Sequence, residues 1–205
     1  MDRTIAKAIS SVFHPLWMPL LTLVIAFFVD PFLGLHPAAF IFLLAMLFMN
    51  AALPGLTILY MARKNMISNL EISNRTERWV PFFLVFGYYI ISYVLLRTKV
   101  DFVPPVVYSI FFALLTSLLT ALVVNNFTKI SVHLMAFGGF LGTLAALNVM
   151  HYLGQGLFIG LLLLVGSFVA WSRLVLNVHT HKQLYLGFSV GFCIHFFMIT
   201  YGIFF

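Results

Sequence analysis

Ser172, Arg173, His179, His181, Lys182 and Gln183 all fall within residues 172–183, between two apolar runs. Two further polar knots interrupt the hydrocarbon: Arg75-Thr-Glu77-Arg78, and Lys129-Ile-Ser131-Val-His133. Polar groups at the edge of a membrane span cost free energy unless they are paired, wet or bound to something. Several fixed cations together with helix-start N–H groups make a receptor for a doubly charged anion such as a phosphomonoester. Arg75, Arg78, Lys129 and Arg173 would supply the charge. Ser172 adds a hydroxyl, and Ser131, at the start of a helix, adds a hydroxyl and backbone donors. Two histidines from different loops, His133 and His179, suit a nucleophile and a general acid, because imidazole titrates near neutrality. The chain has no cluster of carboxylates of the kind a magnesium-dependent phosphotransferase uses, so the chemistry is read as metal-independent and without a cofactor.

The elements that position these residues follow from composition. Hydrophobic residues make up 63% of the 205 and charged residues 8%, against about a quarter charged in a soluble domain. Lipid is therefore the solvent. Residues 1–13 read as a basic amphipathic lead-in. Apolar runs follow at about 16–34, 37–62, 80–96, 106–124, 133–151, 157–171 and 184–205, each near the roughly 20 residues that cross a bilayer. The first run reads as a retained segment and not a cleaved leader. The expected fold is an all-α integral membrane protein, a bundle of six to seven transmembrane helices forming one domain over residues 1–205. If all seven runs cross, the three polar knots share a face with Arg3, Lys7, Arg63, Lys64 and Lys182, leaving Arg97 and Lys99 opposite. That asymmetry points the knotted face to the cytoplasm. Lys and Arg near it also favour anionic headgroups as partners; nucleic acid is not an expected partner, and the oligomeric state is not legible.

Ser172-Arg173, five residues and then His179 resembles the third signature of the type 2 phosphatidic acid phosphatase superfamily, S-R-x5-H-x3-D, with Gln183 at the aspartate position. Ile130-Ser131-Val132-His133 resembles its second signature, P-S-G-H, keeping Ser and His. The first signature, K-x6-R-P, has no match, and Arg75 and Arg78 stand in for its charges. The resemblance covers roughly residues 64–190 and is to a divergent bacterial inner-membrane group. It implies that His179 attacks phosphorus to form a phosphohistidine and that His133 protonates the leaving alkoxide. Arg173, Arg75, Arg78 and Lys129 would hold the phosphoryl oxygens of a phospholipid or polyprenyl phosphate. It also implies an outward-facing site, opposite to the charge count. Gln183 would keep the imidazole oriented but supply no charge, and Glu77 is a candidate to replace it.

A reading of another class is a non-catalytic transporter or lipid- and anion-binding scaffold. Transport calls for a helix broken at mid-membrane, and Pro54-Gly55 is the candidate. His14, His36, His151 and His195 are read as interfacial or helix-to-helix histidines. Gly138, Gly139 and Gly142 are read as close helix packing, and Asn125 and Asn126 as the end of the fourth span. Pro54 is also expected to free a carbonyl that a neighbour must satisfy.

Overall fold

The computed structural model describes residues 2–29, 35–72, 74–151 and 156–202. Every regular element among them is helical: α1 (Asp2–Val12), α2 (Met18–Val29), α3 (Ala39–Arg63), α4 (Thr76–Lys99), α5 (Pro105–Val124), α6 (Val132–His151), α7 (Gly156–Val175) and α8 (His181–Thr200). The helices α3 to α8 are long and apolar enough to cross a membrane, with mean hydropathy from 1.4 to 2.3. The chain is an all-α multi-pass membrane bundle. The sequence also leads one to expect a hairpin turn at residues 153–156 and a break at Asp30-Pro31 that ends the first apolar run; residues 153–155 and 30–31 lie outside the described residues.

The helix α2 has 12 residues, which rise only about 18 Å, less than a bilayer core of about 30 Å. The segment around it nevertheless reaches from one face to the other. The His14 ring meets that of His133, at the start of α6, at 5.3 Å. The His36 ring stacks at 3.9 Å on Phe102, in the α4–α5 connection. Those two neighbours mark opposite ends of the bundle, so the N-terminal helix α1 lies on the face where α6 begins.

Within lipid every polar group must find a partner inside the protein. Hydroxyls in the spans do so by bonding the carbonyl four residues back: Thr57 to Leu53, Thr116 to Phe112, Thr120 to Thr116, Thr143 to Gly139 and Ser167 to Leu163. Pro54 has no N–H for the Asn50 carbonyl, and the Tyr89 hydroxyl donates to it at a long 3.5 Å. The helix absorbs the misfit as a π turn over Phe48–Ala52 and is not broken there, in contrast to what a discontinuous transporter helix would require.

The centre of the bundle is α6, the most buried span at 72%, and α8 packs closely along it. A methyl group on Gly138 or Gly142 would collide with the carbonyl of Phe188 or Phe192, and one on Gly187 or Gly191 with that of Ser131 or Met135. The two backbones therefore touch along a glycine seam. The numbering of these partners rises together along both helices, so α6 and α8 run parallel and both begin at the same face. Gly139 lies instead against the His195 ring.

Candidate functional site

Because α6 and α8 are parallel, two positive helix ends open side by side, joined by the Ser131 N–H donating to the Gln183 carbonyl at 3.4 Å. The last turn of α7 delivers Arg173, and its termination sets where His179 falls. Asn177 has φ 56°, its N–H bonds the Leu174 carbonyl at 2.9 Å, and the Val178 N–H bonds the Arg173 carbonyl at 3.2 Å. That is a Schellman turn with asparagine in the left-handed position, and it folds the chain back so that His179 stands beside Arg173. The five-residue spacing is thus the length of one helix ending.

Gln183 then has two tasks. Its Oε1 accepts the Thr180 N–H at 3.2 Å, closing a capping box at the start of α8. The same oxygen faces His179 Nδ1 at 3.2 Å. An oxygen can only accept, so Nδ1 carries the proton and Nε2 keeps its lone pair for the cavity side. Burial pushes the His179 imidazole down to about 4; the Gln183 bond opposes this, while Arg78, Lys129 and Arg173 add to it. His179 is a neutral base at physiological pH.

Arg173 is 2% exposed and Arg78 4%. Arg173 Nη2 donates to Glu71 Oε2 at 3.0 Å, Nη1 donates to Ser10 Oγ, and the buried Nε has no partner. Ser10 Oγ lies 3.3 Å from His133 Nε2. Since arginine only donates, the Ser10 hydrogen is left for His133. Arg78 donates through Nε to the Ile72 carbonyl at 3.1 Å and through Nη1 to the Ile130 carbonyl at 3.0 Å. Ile72 sits at φ 46°, a strained conformation for a β-branched residue, which aims that carbonyl at the guanidinium. Of the two buried guanidinium groups, Arg173 is salt-bridged to Glu71 while Arg78 bonds backbone carbonyls, and buried charge is costly until paired. Lys129 Nζ, held 3.0 Å from the Val178 carbonyl, adds a third cation. Its pKa is lowered by burial first and then by Arg78 and Arg173, with Glu71 pulling the other way.

Arg78, Arg173, His133, His179, His14 and Glu71 line one end of a cavity of ≈ 140 Å³. Of the residues singled out from sequence, Arg78, His133, Arg173 and His179 come together here, with Lys129 and Gln183 directly behind them. Arg75 does not join them: its side chain is exposed and absent from the cavity wall, and its carbonyl accepts from Asn125, the residue that ends α5, at 3.1 Å. Ser172 is turned inward, donating to the Val169 carbonyl at 2.7 Å. Ser131 Oγ is buried without a partner and does not line the cavity.

Glu77 does not reach the histidines. It caps its own loop, accepting from the Ser68 N–H at 2.7 Å, the Ser68 hydroxyl at 2.9 Å and Asn74 at 3.2 Å. The acid at the site is Glu71. Ser10, His14 and Glu71 have no motif around them in the sequence. His14 belongs to the site and is not merely interfacial; burial first, then Arg173, lowers its pKa, and Glu71 opposes the fall. The one local signal overlooked in the sequence is Thr180-x-x-Gln183, a capping box that accounts for the glutamine.

Among the described residues, no group of three His, Cys, Asp or Glu side chains is arranged to hold a metal ion. No protein-family model, curated protein or solved structure matches the chain.

Proposed function

We propose that the protein is a lipid-phosphate phosphatase of the bacterial cytoplasmic membrane, a divergent member of the type 2 phosphatidic acid phosphatase superfamily. The observation that carries this reading is the pair of buried guanidinium groups, Arg173 salt-bridged to Glu71 and Arg78 bonded to backbone carbonyls, beside a neutral histidine whose Nε2 is free. A phosphoryl dianion supplies the missing negative charge and takes the unpartnered Arg173 Nε–H. In the reaction His179 Nε2 attacks phosphorus, forming an N–P bond as the bond to the ester oxygen breaks. The leaving oxygen takes a proton from the His133 imidazolium, which a bound dianion favours, and departs as the alcohol. Water then attacks the phosphohistidine, returns a proton to His133 and releases inorganic phosphate, so the sum is ester plus water to alcohol plus phosphate. A pyrophosphate lipid would react at its terminal phosphoryl group in the same way.

Binding without turnover is the second reading, favoured by the neutral Gln183 and by Glu71 occupying Arg173. The test is phosphate release from lipid phosphates by purified protein in EDTA, with wild type beside His179→Ala and Gln183→Asp. Release that is lost in His179→Ala and raised in Gln183→Asp supports the hydrolase. Silence from wild type and Gln183→Asp alike, with phosphate binding retained, supports the scaffold.

A further inference from the structure

The cationic cluster is only one end of its cavity. The same space continues into the bundle between α2, α4, α5 and α6, walled by Thr22, Val85, Leu114, Leu118, Ala136 and Phe140, and reaches Tyr89, Ser117 and His195. Arg78 and Tyr89 lie eleven residues apart on α4, a rise of about 16 Å. A charged mouth leading to an apolar bore of that depth matches an amphiphile lying along the membrane normal, head at the interface and chain inward. A free phosphate has no use for the bore. The whole cavity, charged mouth included, holds ≈ 140 Å³, close to the roughly 150 Å³ of an apolar cavity that admits one benzene ring; spread along that depth, it leaves room for one chain and not for two. Along the bore the Ser117 hydroxyl is buried with no partner, and Leu114, one turn further in on α5, continues the apolar wall past it.

We infer that the bore between α2, α4, α5 and α6 is a hydrocarbon-binding site and that the ligand is a phosphate monoester carrying a single chain. This rests on the reading of the cationic cluster as a phosphate site. A two-chain phosphatidate would have to leave its second chain outside a bundle whose mouth is covered by α1 and the 64–72 loop.

The test uses the full chain in detergent and two single-chain probes, a prenyl phosphate and a lysophosphatidate. Each carries a photoreactive group in mid-chain, and a diacyl phosphatidate is labelled likewise. Expected is labelling at residues 85–89 and 114–118 by the single-chain probes, suppressed by excess inorganic phosphate, with at least tenfold less from the diacyl probe. The ratio of prenyl to acyl labelling identifies the chain chemistry. Ser117→Leu, which narrows the bore, should weaken labelling by the long probe several-fold and leave a butyl phosphate competitor unaffected. Leu118→Ala, which widens the bore, should keep the fold and raise it. Phosphate-suppressible labelling confined to Leu119, Val123, Ile90 and Val94, all exposed on the outside of the bundle, would overturn the bore while leaving the phosphate site standing. Labelling that phosphate does not suppress would overturn both.

Discussion

Glu71 Oε2 lies 3.0 Å from Arg173 Nη2, on the guanidinium that the proposed chemistry assigns to phosphate. A carboxylate there competes with any anion that enters. Glu71→Gln should therefore tighten binding of vanadate or phosphate a few-fold. Glu71 is 42% exposed, so its contribution is that of a half-wet ion pair, roughly 0.5–1 kcal/mol. Inhibition constants for both proteins, measured at two salt concentrations, check this, and the gap should narrow at high salt. Equal constants would mean that Glu71 stays in place when the anion binds.

The pH dependence follows from His179. Its folded value is about 4 against 6.5 for the ordinary group. Between those values the unfolded chain holds more protons than the folded one, so this residue's contribution to stability is complete above pH 6.5 and is lost as the pH falls toward 4. The acid limb of phosphate release should likewise sit near pH 4. In Gln183→Asp a carboxylate beside Nδ1 favours the imidazolium, so the limb should move to higher pH. Comparing the two proteins on one substrate cancels the ionisation of the substrate itself.

Ser10→Ala removes a hydroxyl that serves both Arg173 and His133, leaving two buried groups each short of a partner. About 1–3 kcal/mol of stability should be lost, with weaker anion binding, and Ser10→Thr should restore most of both. Denaturation midpoints in detergent and vanadate affinity measure the two effects separately. Unchanged affinity in Ser10→Ala would show that α1 is only a cover.

Along the glycine seam, Gly191→Ala and Gly138→Ala place a methyl group inside the facing backbone. Each should destabilise by about 3 kcal/mol or more. Gly160→Ala, at a position with open space around it, should be neutral or slightly stabilising. Thermal melting of the three variants decides this.

The cation-rich face should be cytoplasmic. In a Cys193→Ser background, an impermeant thiol reagent applied to intact cells should label Asp101→Cys and spare Asn69→Cys. The reverse pattern would put the site outside.

Much of this architecture is written locally. Hydropathy marks the spans, Asn177 marks a helix end, and glycines four apart on α6 and α8 mark where backbones touch. What was not legible depends on contacts between residues far apart in the chain. Ser10 is 163 residues from Arg173 and 123 from His133, and a lone serine on an amphipathic helix carries no sign of where that helix docks. Arg75 and Arg78 could not be ranked for a similar reason. A loop entering a 3₁₀ turn has no period to tell which cation turns inward. Nothing in the sequence ranks Glu71 against Glu77, since each is one acid in a polar loop; only the placement of Ser68 and Asn74 around Glu77 separates them.

The glycine seam also divides the site mechanically. His133 and His179 stand at the ends of two helices whose backbones are locked together, with no slack for either to slide. Ser10, which bonds His133, comes from α1, seated through Ala6, Ile9 and Phe13, and Glu71, which bonds Arg173, comes from an exposed loop. A molecule entering or leaving has only that side to displace. A ligand passing that cover breaks the polar contacts that one serine and one glutamate make with Arg173.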